Sequence, residues 1–184
     1  ALVLTVALAA PAFAQTADPL AVLKSDSATL KDKADACREL AVEGGPDAIP
    51  VLAPMLLDEE LSHYARNALE PMPFPEAGAT LRDALGKTTG RLQIGVINSL
   101  AIRKDAEAVP AIAGLLSAED AAVVDAAARA LGVIGGDSAI QALQRRLRQG
   151  GTPVVVRAVA DGLFESAETM EAAGDRRSAA ALYD

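Results

Sequence analysis

The residues able to do chemistry are few, and their spacing is poor for it. The chain has one histidine, His63, and one cysteine, Cys37. Zinc and similar ions need several His or Cys ligands brought together, and no second such residue lies near either one. No C-x-x-C-H stretch is present for covalent haem. Cys37 sits inside a helical pattern, which predicts a buried, inert thiol. The run Gly132-Val133-Ile134-Gly135-Gly136 is glycine-rich, but no P-loop lysine follows it. It also follows a helix, whereas a phosphate-binding loop must precede one so that free N–H groups face the anion. It reads as a helix stop. Ser99, Ser117 and Ser138 lack any nucleophile motif. The expectation is a chain with no catalytic residue, no metal ligand and no cofactor.

Binding is the chemistry that remains. His63, Tyr64 and Arg66 share the first helix of an irregular stretch. Phe74 follows in a linker stiffened by Pro71, Pro73 and Pro75, which cannot be helical. That linker can pack Phe74 on its neighbours, or it can project as a ridge that touches a partner. Arg145, Arg146 and Arg148 stand near the end of another helix. Cations there favour the helix dipole, and they can equally meet an acidic patch on a partner. These seven residues are the expected protein-binding positions.

The elements that must position them repeat. Leu40, Leu69, Leu100, Leu131 and Leu163 are separated by 29, 31, 31 and 32 residues. Four positions before each stands Ala36, Ala65, Val96, Ala127 or Val159. Twelve positions after the first four come Leu52, Leu81, Ile112 and Leu143, and four later Leu56, Leu85, Leu116 and Leu147. Steps of four lie on one helical face, and a fixed period near thirty marks stacked helix pairs. The plainest copy is Asp120 to Leu147. There Gly135-Gly136 ends one helix, and Asp137 or Ser138 is placed to cap the next. Pro50 and Pro110 fall in first helical turns, where a missing N–H costs little.

Composition narrows the partners. Half the residues are apolar (51%), 3% are aromatic and the net charge is −8. An Ala-, Leu- and Val-rich core suits closely packed helices. The acidity excludes a sequence-independent nucleic-acid binder, which must neutralise phosphates, and disfavours anionic lipid. Residues 1–14 are uncharged and end in Ala12-Phe13-Ala14, which fits a signal peptide truncated at its start. Export follows as an expectation, with no membrane association beyond it. Residues 15–27 read as a tail and cap, with Leu20 and Leu23 covering the open end of the array. Residues 28–165 are the repeats. In 166–184, Ala167, Met170 and Ala173 suggest one helix, Gly174-Asp175 a turn, and Ala179, Leu182 and Tyr183 the start of another. The sequence stops in mid-helix, so the chain is expected to continue past Asp184.

Helix pairs of this length, with A-A-R-A-L-G-V-I-G-G-D-S-A-I-Q-A-L at 127–143, resemble HEAT repeats of the short type also found in bilin lyases. The tail around Gly174-Asp175, with Ala179 and Tyr183, is similar to a tetratricopeptide hairpin. The resemblance implies an all-α fold, an α-solenoid in which second helices line a surface for a protein or peptide partner. The exposed positions near 47–57, 76–86, 107–117 and 138–149 are then the binding positions. It also implies a scaffold without activity of its own, or the non-catalytic segment of a larger exported enzyme. HEAT-type iron hydroxylases use paired His-Glu motifs, but His63 is followed by Tyr64. A bilin-lyase-like role needs a tetrapyrrole pocket that no residue here marks.

Overall fold

A computed structural model describes residues 18–182. The segment read as a signal peptide, Gln15 and Tyr183 lie outside the described residues. Among those described, all regular structure is helical and no strand is present. A short helix, α1 (Pro19–Lys24), is followed by α2 (Leu30–Glu43), α3 (Ile49–Leu52), α4 (Ser62–Leu69), α5 (Pro75–Leu85) and α6 (Gly90–Ile102). Then come α7 (Val109–Gly114), α8 (Ala121–Ile134), α9 (Gly136–Gln149), α10 (Pro153–Ala172) and α11 (Arg176–Ala180). First helices α2, α4, α6, α8 and α10 each carry one of the five register leucines. The architecture is the stacked-pair α-solenoid that the periodicity predicts.

Burial follows the register. Leu40, Leu69, Leu100, Leu131 and Leu163 are all buried, as are the small or β-branched residues four positions before them. Leu52, Leu81, Ile112 and Leu143 are fully buried on the second helices. One apolar cluster runs through the array from Leu23 to Leu163, because each pair covers the open side of the next. Leu23 is buried and Leu20 packs beside it, so α1 closes the first end as a cap. Ala127 has no exposed surface. An aspartate there places an unpaired charge in a dry interface, at a cost of about 3 kcal/mol or more. Ala127→Asp should therefore lower the thermal midpoint by about 10 °C, followed by helix ellipticity at 222 nm. A wild-type melting curve would show the register to be wrong.

Local chemistry sets the helix ends. Thr29 and Asp32 form a reciprocal capping box at the start of α2. Asp120 caps α8 and Thr152 caps α10. Gly135 and Gly136 take φ of +70° and +81°, the left-handed region that ends α8. The expected cap of α9 is different: the helix starts at Gly136, and neither Asp137 nor Ser138 supplies a side-chain cap. The second helices of the first and third pairs are broken by 3₁₀ turns at 46–48, 54–57, 106–108 and 115–117. Pro54 explains one break, since it cannot continue the hydrogen-bond ladder of α3.

The C-terminal region is more continuous than its sequence implies. Residues 153–172 form one helix of 20 residues, so the expected division after residue 165 falls inside α10. The turn at Gly174 and the start of α11 behind Asp175 are present, and Ala179 is buried. Val159, Leu163, Ala167 and Met170 share one face at steps of four or three. A single packed stripe therefore serves both segments, and no break is needed between them.

Candidate functional site

The polar side chains of the irregular pair converge on its neighbour. Arg66 leaves α4 and crosses to α6. Its Nη1 donates to the Gly95 carbonyl at 3.1 Å and to Ser99 Oγ at 3.2 Å. Ser99 in turn donates to Glu70 Oε1 at 2.7 Å. Gly95 makes this possible, because a Cβ there would lie 2.8 Å from the Arg66 guanidinium carbon. Burial pushes the Arg66 pKa below its usual value, partly offset by Glu70 4.0 Å away.

Arg103 makes the second crossing. It stands just past α6 and reaches back over the proline linker. Nη1 lies 2.8 Å from the carbonyl oxygens of Leu69, Glu70 and Met72, and Nη2 lies 3.3 Å from that of Phe74. The Leu69 and Phe74 carbonyls also accept from the Met72 and Ala77 N–H groups, and the guanidinium adds charged donors to all four, with Nη1 sharing its two N–H among three carbonyls. Arg82 of α5 makes the third crossing, to Asp105 at 2.5 Å and Glu107 at 2.8 Å. Asp105 also caps the turn that begins the next second helix.

The seven expected binding residues are thus not equivalent. Arg66 is spent inside the array, with 17% of its side chain exposed. Arg146 is spent similarly: Nε donates to the Leu116 carbonyl of the preceding pair at 2.8 Å, and Nη1 donates to the Gly150 carbonyl. Phe74 is partly buried against the core, and Met72 of the same linker is buried. His63 is exposed and Tyr64 half-buried, with their rings in tilted contact at 5.1 Å. Arg145 and Arg148 are exposed. The structure does not bring His63, Phe74 and the arginine cluster onto one shared site.

Sequence reasoning missed Arg82, Arg103 and the role of Arg66, although a signal existed. Arg66 takes the register position of Cys37, Ile97 and Ala128, which are buried in other pairs. Arg146 takes that of Met55, Ala84 and Leu115, none of which is exposed. An arginine at a position otherwise apolar is drawn to something within the array.

A second pattern emerges on the outer side of the second helices. Two positions before the register residue stand Pro50, Ala79, Pro110 and Gln141, all exposed. Two positions after it stand Pro54, Asp83, Gly114 and Arg145, again all exposed. These eight residues make a row that recurs from pair to pair. Most are small or lack long side chains, so backbone of a partner can approach them closely.

Residues 78–163 match the family model described as HEAT repeats. The matched segment runs from α5 into α10. A search of the curated proteins finds no match to the chain. Among the described residues no cluster of His, Cys, Asp and Glu could hold a metal ion, and no helix is long and apolar enough to cross a membrane. Within α2, ahead of the matched segment, burial raises the Cys37 thiol pKa to about 11, which leaves little thiolate at neutral pH.

Proposed function

We propose that this chain is an exported scaffold that binds a protein or peptide along the row of exposed second-helix positions, without catalysis of its own. HEAT segments are typically protein-binding, and the carrying observation is that row. Eight register-equivalent positions stay exposed while the apolar register beside them stays buried. A solenoid offers such a surface because only its inner positions are needed for stacking. The small side chains at Ala79, Pro110 and Gly114 favour an extended partner segment lying across the pairs. Arg145 and Arg148, at the end of that row, suit an acidic residue of the partner. Export rests on the uncharged residues 1–14 and the Ala12-Phe13-Ala14 pattern.

The second reading is that the repeats are the non-catalytic segment of a larger exported enzyme. It is supported by the poverty of reactive residues among the repeats, and it needs the same binding row to place a substrate protein. The test is a double change on the surface. Pro110→Arg with Arg145→Glu should leave the melting curve unchanged, because both sites are exposed, and should weaken partner capture about tenfold or more. Retained capture by the double variant, at equal folding, would place the partner elsewhere.

A further inference from the structure

Two neighbouring helices begin without the side-chain caps that their relatives carry. The cap position of α4 is Leu61 and that of α6 is Thr89, and neither side chain bonds to the first turn. By contrast, α2, α8 and α10 are capped by Thr29, Asp120 and Thr152. Between the two uncapped starts lies a cavity of about 260 Å³, lined by Glu59, Ser62, His63, Arg66, Arg91 and Leu92. Ser62 is 2% exposed, and its Oγ is buried with no hydrogen-bond partner. Arg66 Nε is likewise buried and unpartnered in the same wall. Native proteins rarely leave such donors unsatisfied, and each one calls for an acceptor. Both residues line one cavity, where the Arg66 guanidinium is joined by that of Arg91 at the starts of two helices, and the Asp58 carboxylate takes the Glu60 and Leu61 N–H groups just ahead of α4.

We propose that this cavity is an oxyanion site, in which Ser62, Arg66 and Arg91 hold a phosphate or carboxylate group between the starts of α4 and α6. The chemistry of the donors selects the ligand class. Ser62 Oγ and Arg66 Nε supply hydrogen bonds at the floor, and Arg91 supplies a mobile charge at the rim. Two carboxylates oppose it: Glu59, in the lining, lies 4.0 Å from Arg91 with both side chains above 80% exposed, and Glu70, outside the lining, lies 4.0 Å from Arg66 Nη1. A bound oxyanion replaces Glu59 as the partner of Arg91. The site is separate from the exposed row on the second helices, so it stands or falls independently of the scaffold reading.

The experiment is calorimetric titration of the whole chain with inorganic phosphate, at ionic strength held constant with sodium chloride. Saturable binding is expected. Arg91→Gln and Ser62→Ala should each weaken it about tenfold, the effect of losing one charge-assisted hydrogen bond. Neither change disturbs folding, since the Arg91 side chain is 85% exposed and the Ser62 hydroxyl makes no bond to lose. Glu59→Gln should tighten binding by removing the competing carboxylate. Acetate distinguishes the sources: competition with phosphate extends the site to carboxylates, and no competition restricts it to phosphate-type anions. Absence of saturable binding for both anions, or equal affinity in wild type, Arg91→Gln and Ser62→Ala, overturns the proposal.

Discussion

Arg103→Ala should be among the most damaging substitutions in the chain, although Arg103 is only half-buried and contacts no other charge among its hydrogen bonds. Its guanidinium serves the carbonyls of Leu69, Glu70, Met72 and Phe74. Alanine removes every one of those donors at once. Hydrogen bonds from a charged donor contribute roughly 1.5–3 kcal/mol each, and water can replace some at the rim, so the net loss is about 3–5 kcal/mol. For a chain of this length that is a fall in thermal midpoint of about 10 °C. The proline linker should loosen before the rest, seen as faster hydrogen exchange at the Glu70 and Met72 amides, which donate to the Arg66 and Leu69 carbonyls, relative to α8. Arg103→Lys should recover little, because an ammonium cannot span carbonyls that a planar guanidinium reaches together. A midpoint within a degree or two of wild type for Arg103→Ala would mean that the linker is held by its prolines and Met72 alone.

The second large effect has a sign that decides between two arguments. Gly162 lies in the middle of α10, where helix propensity says that alanine should stabilise by about 1 kcal/mol. Packing says the opposite. A Cβ at Gly162 would lie 2.5 Å from the Ala128 carbonyl oxygen and 2.8 Å from its carbon. Backbone cannot swing aside as a side chain can, so α10 would have to move off α8. Gly132 faces it from α8, with a Cβ there 2.5 Å from the Gly162 carbonyl oxygen. Overpacking of this kind costs about 1–3 kcal/mol for one methyl and more for a branched side chain. Gly162→Ala should therefore destabilise despite its better propensity, and Gly162→Val should destabilise further. Gly114→Ala is the control: it ends α7 and nothing lies within 4 Å of its Cβ position. Denaturant midpoints for the three variants would settle the matter, and a stabilised Gly162→Ala would show that α8 and α10 are not in backbone contact.

These two glycines explain why part of the fold was legible and part was not. Gly135 and Gly136 could be read as a helix stop because glycine at the end of a periodic run has a local conformational role. Gly132 and Gly162 look identical in sequence, yet they sit inside helices and serve the distance between helices. Gly95 is a third kind, leaving room for the Arg66 guanidinium. Which role a glycine plays depends on what faces it, and that is a neighbour about thirty residues away.

The candidate site divides in the same way. Arg145 and Arg148 are exposed, as a basic run near a helix end predicts. Arg146, between them, turns inward to Leu116, and Arg66 turns inward to Gly95 and Ser99. Their register positions hold apolar residues in other pairs, so the sequence marked them as anomalous without naming their partners. The Ser62 hydroxyl was invisible for a plainer reason. A serine in a first helical turn is common, and only the surroundings reveal that its oxygen has no partner.

The sequence by itself determined the helix pairs, their period and the buried register, because stacking demands the same apolar positions in every copy and repetition makes them readable. The tertiary structure alone decided which arginines are latches and which remain free, how closely α8 and α10 approach, and where two uncapped helix starts meet. Those contacts join residues 23 to 34 positions apart, and many end on backbone carbonyls. A carbonyl oxygen belongs to every residue type, so no pattern of side chains could have announced them.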